Sequence, residues 1–263
     1  MATKYPIILV HGMLLKDFGS FKAFGRIEKI LKNAGYTVYT STNDACGTIE
    51  SNARQIKAQI LDIIKKEKTT KVNIIAHSKG GLDCRYMMEH LNVRKYLASV
   101  TFLCTPHKGS KIASFICSWP RFVTYPIASG MHVIYQAFLH DKHPDLLKSC
   151  HELSSDPKDA IKLLPYTERN DEVIVQSFSS SIEKFRDDLV MGIPLIVSRY
   201  FGIKITDGMV SADSSKYGKY RGNCTDISVS HSEIVDFMVR KSKRKKIYTF
   251  YRSLCKELEA RGC

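Results

Sequence analysis

Apolar residues follow two alternating rhythms along this chain. Short, nearly continuous apolar runs at Tyr5–Val10, Tyr36–Thr40, Val72–Ala76 and Ala98–Cys104 read as strands, the longer ones buried on both faces. Between them, apolar positions recur at helical spacing. Phe21–Asn33 places them at 21, 24, 27, 30 and 31 and stops near Gly35; Asn52–Lys66 and Gly81–His90 follow the same rule. Short connections cannot join parallel neighbours, so this strand-helix-strand succession predicts an α/β fold, with a mostly parallel central sheet and helices on both faces.

After Ser110 the pattern loosens. From Phe115 to Pro165 short apolar bursts fit no single repeat. Val173–Phe178 then reads as a strand, and Asp226–Ser230 as another that leads straight into His231. Ser232–Glu259 reads as helical with a basic interruption, its second half carrying Ile247, Phe250, Tyr251, Leu254 and Leu258 on one face. No linker, low-complexity tract or internal repeat divides the 263 residues, of which 44% are hydrophobic, so one domain over 1–263 with one large core is expected.

Composition narrows the setting. The uncharged run Phe122–Leu139 reaches the length of a membrane span, but Pro126, Gly130, His132 and Gln136 argue against one. The apolar stretch near the start is too short for a secretory signal, and eight cysteines show neither a C-x-x-C pair nor metal-ligand spacing. Both features favour a reducing cytoplasm. The formal charge of +14 is densest in "RKSKRKK", Arg240 to Lys246. With no interleaved aromatics and no nucleic-acid motif, the run implies no nucleic-acid partner. It reads as a solvated helix end, or else as a surface for transient contact with anionic lipid.

The chemistry centres on "VNIIAHSKGGLD", where an apolar strand runs into a Gly-Gly helix opening with Ser78 at the bend. In such an elbow the residues two before and two after the nucleophile must be small, and Ala76 and Gly80 meet that requirement, although glycine is usual at the first position. The alternative is a serine that merely caps a helix. A serine alkoxide needs an imidazole to take its proton and a carboxylate to hold the imidazole's tautomer, in the order Ser, acid, His on this fold. Among nine histidines His231 follows every candidate acid and is the base chosen. Asp207, at a sharp Asp-Gly turn 24 positions earlier, leads among the acids, with Asp213 and Asp226 as rivals. The oxyanion donors expected are the backbone N–H of Lys79, after the nucleophile, and of Met13, just beyond His11-Gly12, with His11 bracing that loop.

The segments "YPIILVHGML", "VNIIAHSKGGLDCRY", "SVTFLCTPHKGS", "TDGMVS" and "SHSEIVD" resemble, in this order, the bacterial true lipases (triacylglycerol lipases) of the α/β-hydrolase superfamily. The resemblance covers most of 5–115 and 205–238. It implies an α/β-hydrolase sheet, Ser78 as nucleophile, Asp207 as acid, His231 as base, and Met13 and Lys79 as the oxyanion hole. The substrate implied is an acylglycerol or similar lipid or acyl ester, and no cofactor is implied. An insertion at about 116–170 is expected as a helical lid or cap, or as helices packed permanently in place. Some such lipases hold a structural calcium between an Asp ahead of the acid and an acid just after the histidine. Asp187 or Asp188 and Glu233 occupy those places here, but two carboxylates fall short of the six or more oxygens calcium takes, and no metal is assigned. The same triad also serves acyltransferases and amidases, and a non-catalytic basic lipid-binding module is the alternative of a different class.

Overall fold

The computed structural model describes residues 3–169 and 172–263, so residue 170, the expected end of the insertion, lies outside it. Six strands, β1 (Ile7–Val10), β2 (Val38–Thr40), β3 (Val72–His77), β4 (Leu97–Leu103), β5 (Ile174–Ser179) and β6 (Lys219–Asn223), form one sheet in the order β2-β1-β3-β4-β5-β6. Every pairing is parallel. Eight α-helices accompany them among the described residues: α1 (Ile27–Asn33), α2 (Ile49–Lys66), α3 (Lys79–His90), α4 (Lys111–Cys117), α5 (Arg121–Leu139), α6 (Leu146–Glu152), α7 (Leu189–Tyr200) and α8 (Lys241–Ala260).

The pleat explains why β1 is apolar at every position. Ile7 and Leu9 join α1 and α8 in one core cluster, while Ile8 and Val10 face α2 and α3 in the other. All four are fully buried, and burying such a side chain contributes about 1.5–3 kcal/mol. The chain leaves β1 in one direction for β2 and returns on the other side as β3. The connections therefore part beyond the carboxyl ends of β1 and β3, which is where open α/β sheets place their ligands.

Several elements depart from the sequence pattern. Phe21 closes an isolated bridge with Phe18, 23–26 are turn residues, and α1 starts only at Ile27. Gly25 adopts φ +48°, and a Cβ there would lie 2.7 Å from the Asp236 carboxylate, which instead accepts a hydrogen bond from Arg26 N–H. Asp226–Ser230 is not a strand. The last strand is β6, a polar edge strand with no alternating apolar signal, after which Cys224 and Val229 donate to the carbonyls of Ser179 and Ser181. The basic run opens α8 rather than interrupting a helix, since Ser232–Arg240 holds only a 3-10 turn and irregular chain. The segment after Ser110 contains α4, α5 and α6. Among the described residues no helix is long and apolar enough to cross a membrane.

Candidate active site

Ser78 stands between β3 and α3 with φ 55° and ψ −129°, a backbone strain of order 1–3 kcal/mol held by its surroundings. Its side chain does not cap α3. The small residues around it are a steric necessity. A Cβ on Gly80 would lie 2.3 Å from the His11 carbonyl, and one on Gly12 would lie 2.8 Å from Ser78 Cβ, so strand, loop and helix close on one another only with glycine there.

Asp207, in the chain between α7 and β6, and His231, in the chain after β6, reach the same point. The Ser78 hydroxyl lies 2.8 Å from His231 Nε2, and His231 Nδ1 lies 2.7 Å from Asp207 Oδ2. Asp207 is almost fully buried and its other oxygen accepts Met209 N–H (2.9 Å) and Val210 N–H (2.8 Å), which fixes the carboxylate plane. His231 N–H donates to the Asp207 carbonyl at 3.0 Å, so backbone and side chain align the pair together. With the imidazole proton on Nδ1, where the carboxylate holds it, Nε2 is left to accept from Ser78 Oγ–H. The rival acids lie elsewhere: Asp213 pairs with Lys108 and Lys216, and Asp226 with Lys246, all at the surface.

The His77 ring packs on His231 with centroids 4.6 Å apart. Burial, and then the neighbouring His231, hold His77 well below the usual imidazole range, so it stays neutral beside the site. His11 is also pushed down by burial, and its Nδ1 lies 3.0 Å from the Gly12 carbonyl, which makes it a brace for the loop.

Met13 lies on that loop and, with Ser78, lines the cavity above the nucleophile. Lys79, the first residue of α3, turns its side chain into the interior to meet Asp83 at 2.8 Å, both groups 1% exposed. Burial pushes Asp83 up to about 6 against the pull of Lys79 and Asn52. The loop is clamped by residues with no sequence signal. Leu14, at φ 68°, donates its N–H to the Ala45 carbonyl (3.0 Å) and accepts the Tyr135 hydroxyl (3.0 Å) from α5. Lys16 reaches Asp141, just past α5, at 2.8 Å, and that carboxylate also accepts Ala45 and Cys46 N–H. Partners 121 and 125 positions apart leave no local pattern to read.

Above Ser78 opens an apolar cavity of about 390 Å³, walled by Leu15, Ile116, Leu153, Met191, Val210 and Phe237 among others. The size and lining suit a hydrocarbon chain. Exposed apolar surface lies on α7, which gives Met191 to this wall, and on α5, which does not line the cavity. Phe122 of α5 is 80% exposed and Tyr200 of α7 is 87% exposed, with Val133, Phe138, Leu189 and Ile193 also open.

The residues implied for calcium do not fit a divalent cation. Asp188 Oδ1 caps α7 through Val190 and Met191 N–H, and Oδ2 accepts the Ser230 (2.6 Å) and Ser232 (3.2 Å) hydroxyls. Asp187 Oδ2 accepts Glu183 and Lys184 N–H. Glu233 Oε2 lies 2.7 Å from Lys243 Nζ and accepts Ser230 N–H at 3.1 Å. A cationic nitrogen thus already stands against the carboxylate a metal would need, and too few oxygen lone pairs remain for a coordination shell.

A family model described as "Domain of unknown function (DUF7379)" matches residues 2–126. Triacylglycerol lipase 2 of Saccharomyces cerevisiae is 28% identical over 218 residues, 80% of this chain and 61% of that protein. A triacylglycerol lipase of Pseudomonas fragi is 31% identical over 149 residues, 55% of this chain and 50% of the relative. The chain therefore spans between half and two thirds of these relatives' length. Among solved structures, the Staphylococcus hyicus lipase superposes with a TM-score of 0.69 at 16% identity, covering 98% of this chain and 96% of that one. The fold is the one seen in that lipase, a parallel α/β sheet covered by helices. By sequence the chain is similar to triacylglycerol lipases over part of their length.

Proposed function

We propose that this chain is a serine carboxylic-ester hydrolase that cleaves acylglycerols or related acyl esters. One observation carries the reading: Ser78 Oγ, both His231 ring nitrogens and the Asp207 carboxylate form a continuous hydrogen-bonded line at the floor of an apolar cavity. In this reading His231 Nε2 takes the hydroxyl proton as Oγ attacks the ester carbonyl. Asp207 holds the tautomer and stabilises the imidazolium, without itself taking the proton. The backbone N–H groups of Met13 and Lys79 receive the developing oxyanion. The imidazolium then gives its proton to the departing alcohol, and water, activated by the same nitrogen, releases the acid and restores Ser78.

The related triacylglycerol lipases support a lipid ester as substrate, and the exposed apolar faces of α5 and α7 support a cover that meets lipid. α5 carries Arg121 as its one charged residue apart from histidine, and α7 only Arg199, so both faces would tolerate an anionic bilayer. Sedimentation with anionic vesicles at low and high salt tests this part; a chain left in the supernatant in both would remove it.

For the chemistry, a fluorophosphonate probe should attach to Ser78 and Ser78→Ala should abolish p-nitrophenyl ester cleavage without loss of fold. Full activity in the alanine variant would refute the assignment.

A further inference from the structure

We propose that Lys243 does in this chain the work a bound divalent cation does elsewhere: its ammonium ties the loop carrying His231 to the body of the protein, so the loop needs no metal. The role given to His231 rests on the function proposed above; the clamp itself does not.

Lys243 sits in the first turn of α8, inside the basic run that reads as a solvated helix end. Its side chain instead turns inward and is only 13% exposed. Nζ donates to Glu233 Oε2 at 2.7 Å and to the Asp187 carbonyl at 3.1 Å. Three segments therefore meet at one nitrogen: the helix start, the loop just past His231 ten residues earlier, and the chain ahead of α7, 56 residues away. Glu233 is 2% exposed and returns the clamp to the loop, since its carboxylate accepts Ser230 N–H and its own N–H donates to Ser230 Oγ at 3.2 Å. Ser230 Oγ in turn donates to Asp188, so His231 lies between two residues fixed by the same polar cluster. A buried carboxylate must be compensated, and an ammonium at 2.7 Å with a shared backbone carbonyl does so with one positive charge and two directed hydrogen bonds. Calcium would meet the same Glu233 oxygen with an ammonium beside it and would have to displace it.

Lys243 is a positioning residue, acting on His231 through Glu233. The test joins a stability readout to a kinetic one. Wild-type protein should keep its thermal midpoint in EDTA and show no rise with millimolar calcium. Lys243→Met, which keeps the stem and removes the charge, should lower the midpoint and reduce kcat roughly tenfold or more with KM for a short-chain ester nearly unchanged. Lys243→Arg should recover most of both losses. A wild-type midpoint that falls in EDTA and returns with calcium would overturn the proposal, as would a Lys243→Met variant with unchanged midpoint and kcat. Should Lys243→Met fail to fold, the EDTA arm and the Arg variant still decide the matter. Loss of fluorophosphonate labelling in the wild type, with the midpoint results intact, would count against the proposed function and against the kinetic half, while the clamp would stand.

Discussion

Removing one hydroxyl from α5 should reach the chemistry at Ser78. Tyr135 is buried, and its OH donates to the Leu14 carbonyl at 3.0 Å. Leu14 follows Met13, the proposed oxyanion donor, and adopts φ 68°, a conformation costing a leucine about 1–2 kcal/mol. Two hydrogen bonds oppose that cost, one from Leu14 N–H to Ala45 and one from Tyr135. In Tyr135→Phe the ring still fills its place but the second bond is gone, a loss of roughly 1 kcal/mol. That equals about a fivefold change in the equilibrium between the strained loop and a relaxed one. The expected result is a kcat up to about fivefold lower with KM little changed, because an oxyanion donor acts on the transition state rather than on bound ester. Affinity for a boronic acid, which presents a tetrahedral oxyanion, should fall by a similar factor. If both quantities stay within twofold of wild type while the thermal midpoint drops, the hydroxyl serves stability alone and the coupling is wrong.

Asp207→Asn keeps shape but offers an amide N–H to His231 Nδ1, forcing the proton onto Nε2; ester cleavage should fall roughly ten-thousandfold with the fold intact, and a loss under tenfold would remove the acid assignment. Stability should depend on acid in a defined window. His11, His77 and His107 are held below the ordinary imidazole value of 6.5 by burial, so the unfolded chain binds their protons first and stability falls as pH drops below about 6.5. Each contributes up to about 1.4 kcal/mol per pH unit. Asp83, pushed up to about 6, acts in the opposite sense between about 6 and its ordinary 3.8 and offsets one of the three there. Denaturant midpoints that do not fall between pH 7 and pH 6 would contradict this sign.

The residues of the candidate site were legible because each carries a local demand. An elbow needs small residues at 76 and 80, a sharp turn needs Asp-Gly at 207–208, and the remaining order along the chain selects His231. The sheet was legible for a similar reason: strands covered on both faces are apolar at most positions, and β1 at all of them, a pattern that survives without knowledge of the partners. The polar edge strand β6 was missed because one covered face and one open edge leave no such run, and Asp226–Ser230 attracted the assignment through apolar residues that pack without pairing in a ladder.

Local periodicity and turn chemistry thus determined the fold class and the three side chains that converge. Only the tertiary structure decided what holds them in register: Lys16 with Asp141, Tyr135 with Leu14, and Lys243 with Glu233 and Asp187. A charge inside a basic run looks solvated until the helix bearing it is docked. The physical reason is that burial and pairing are properties of neighbours brought together by folding, whereas strand, helix and turn preferences belong to residues already adjacent in the chain.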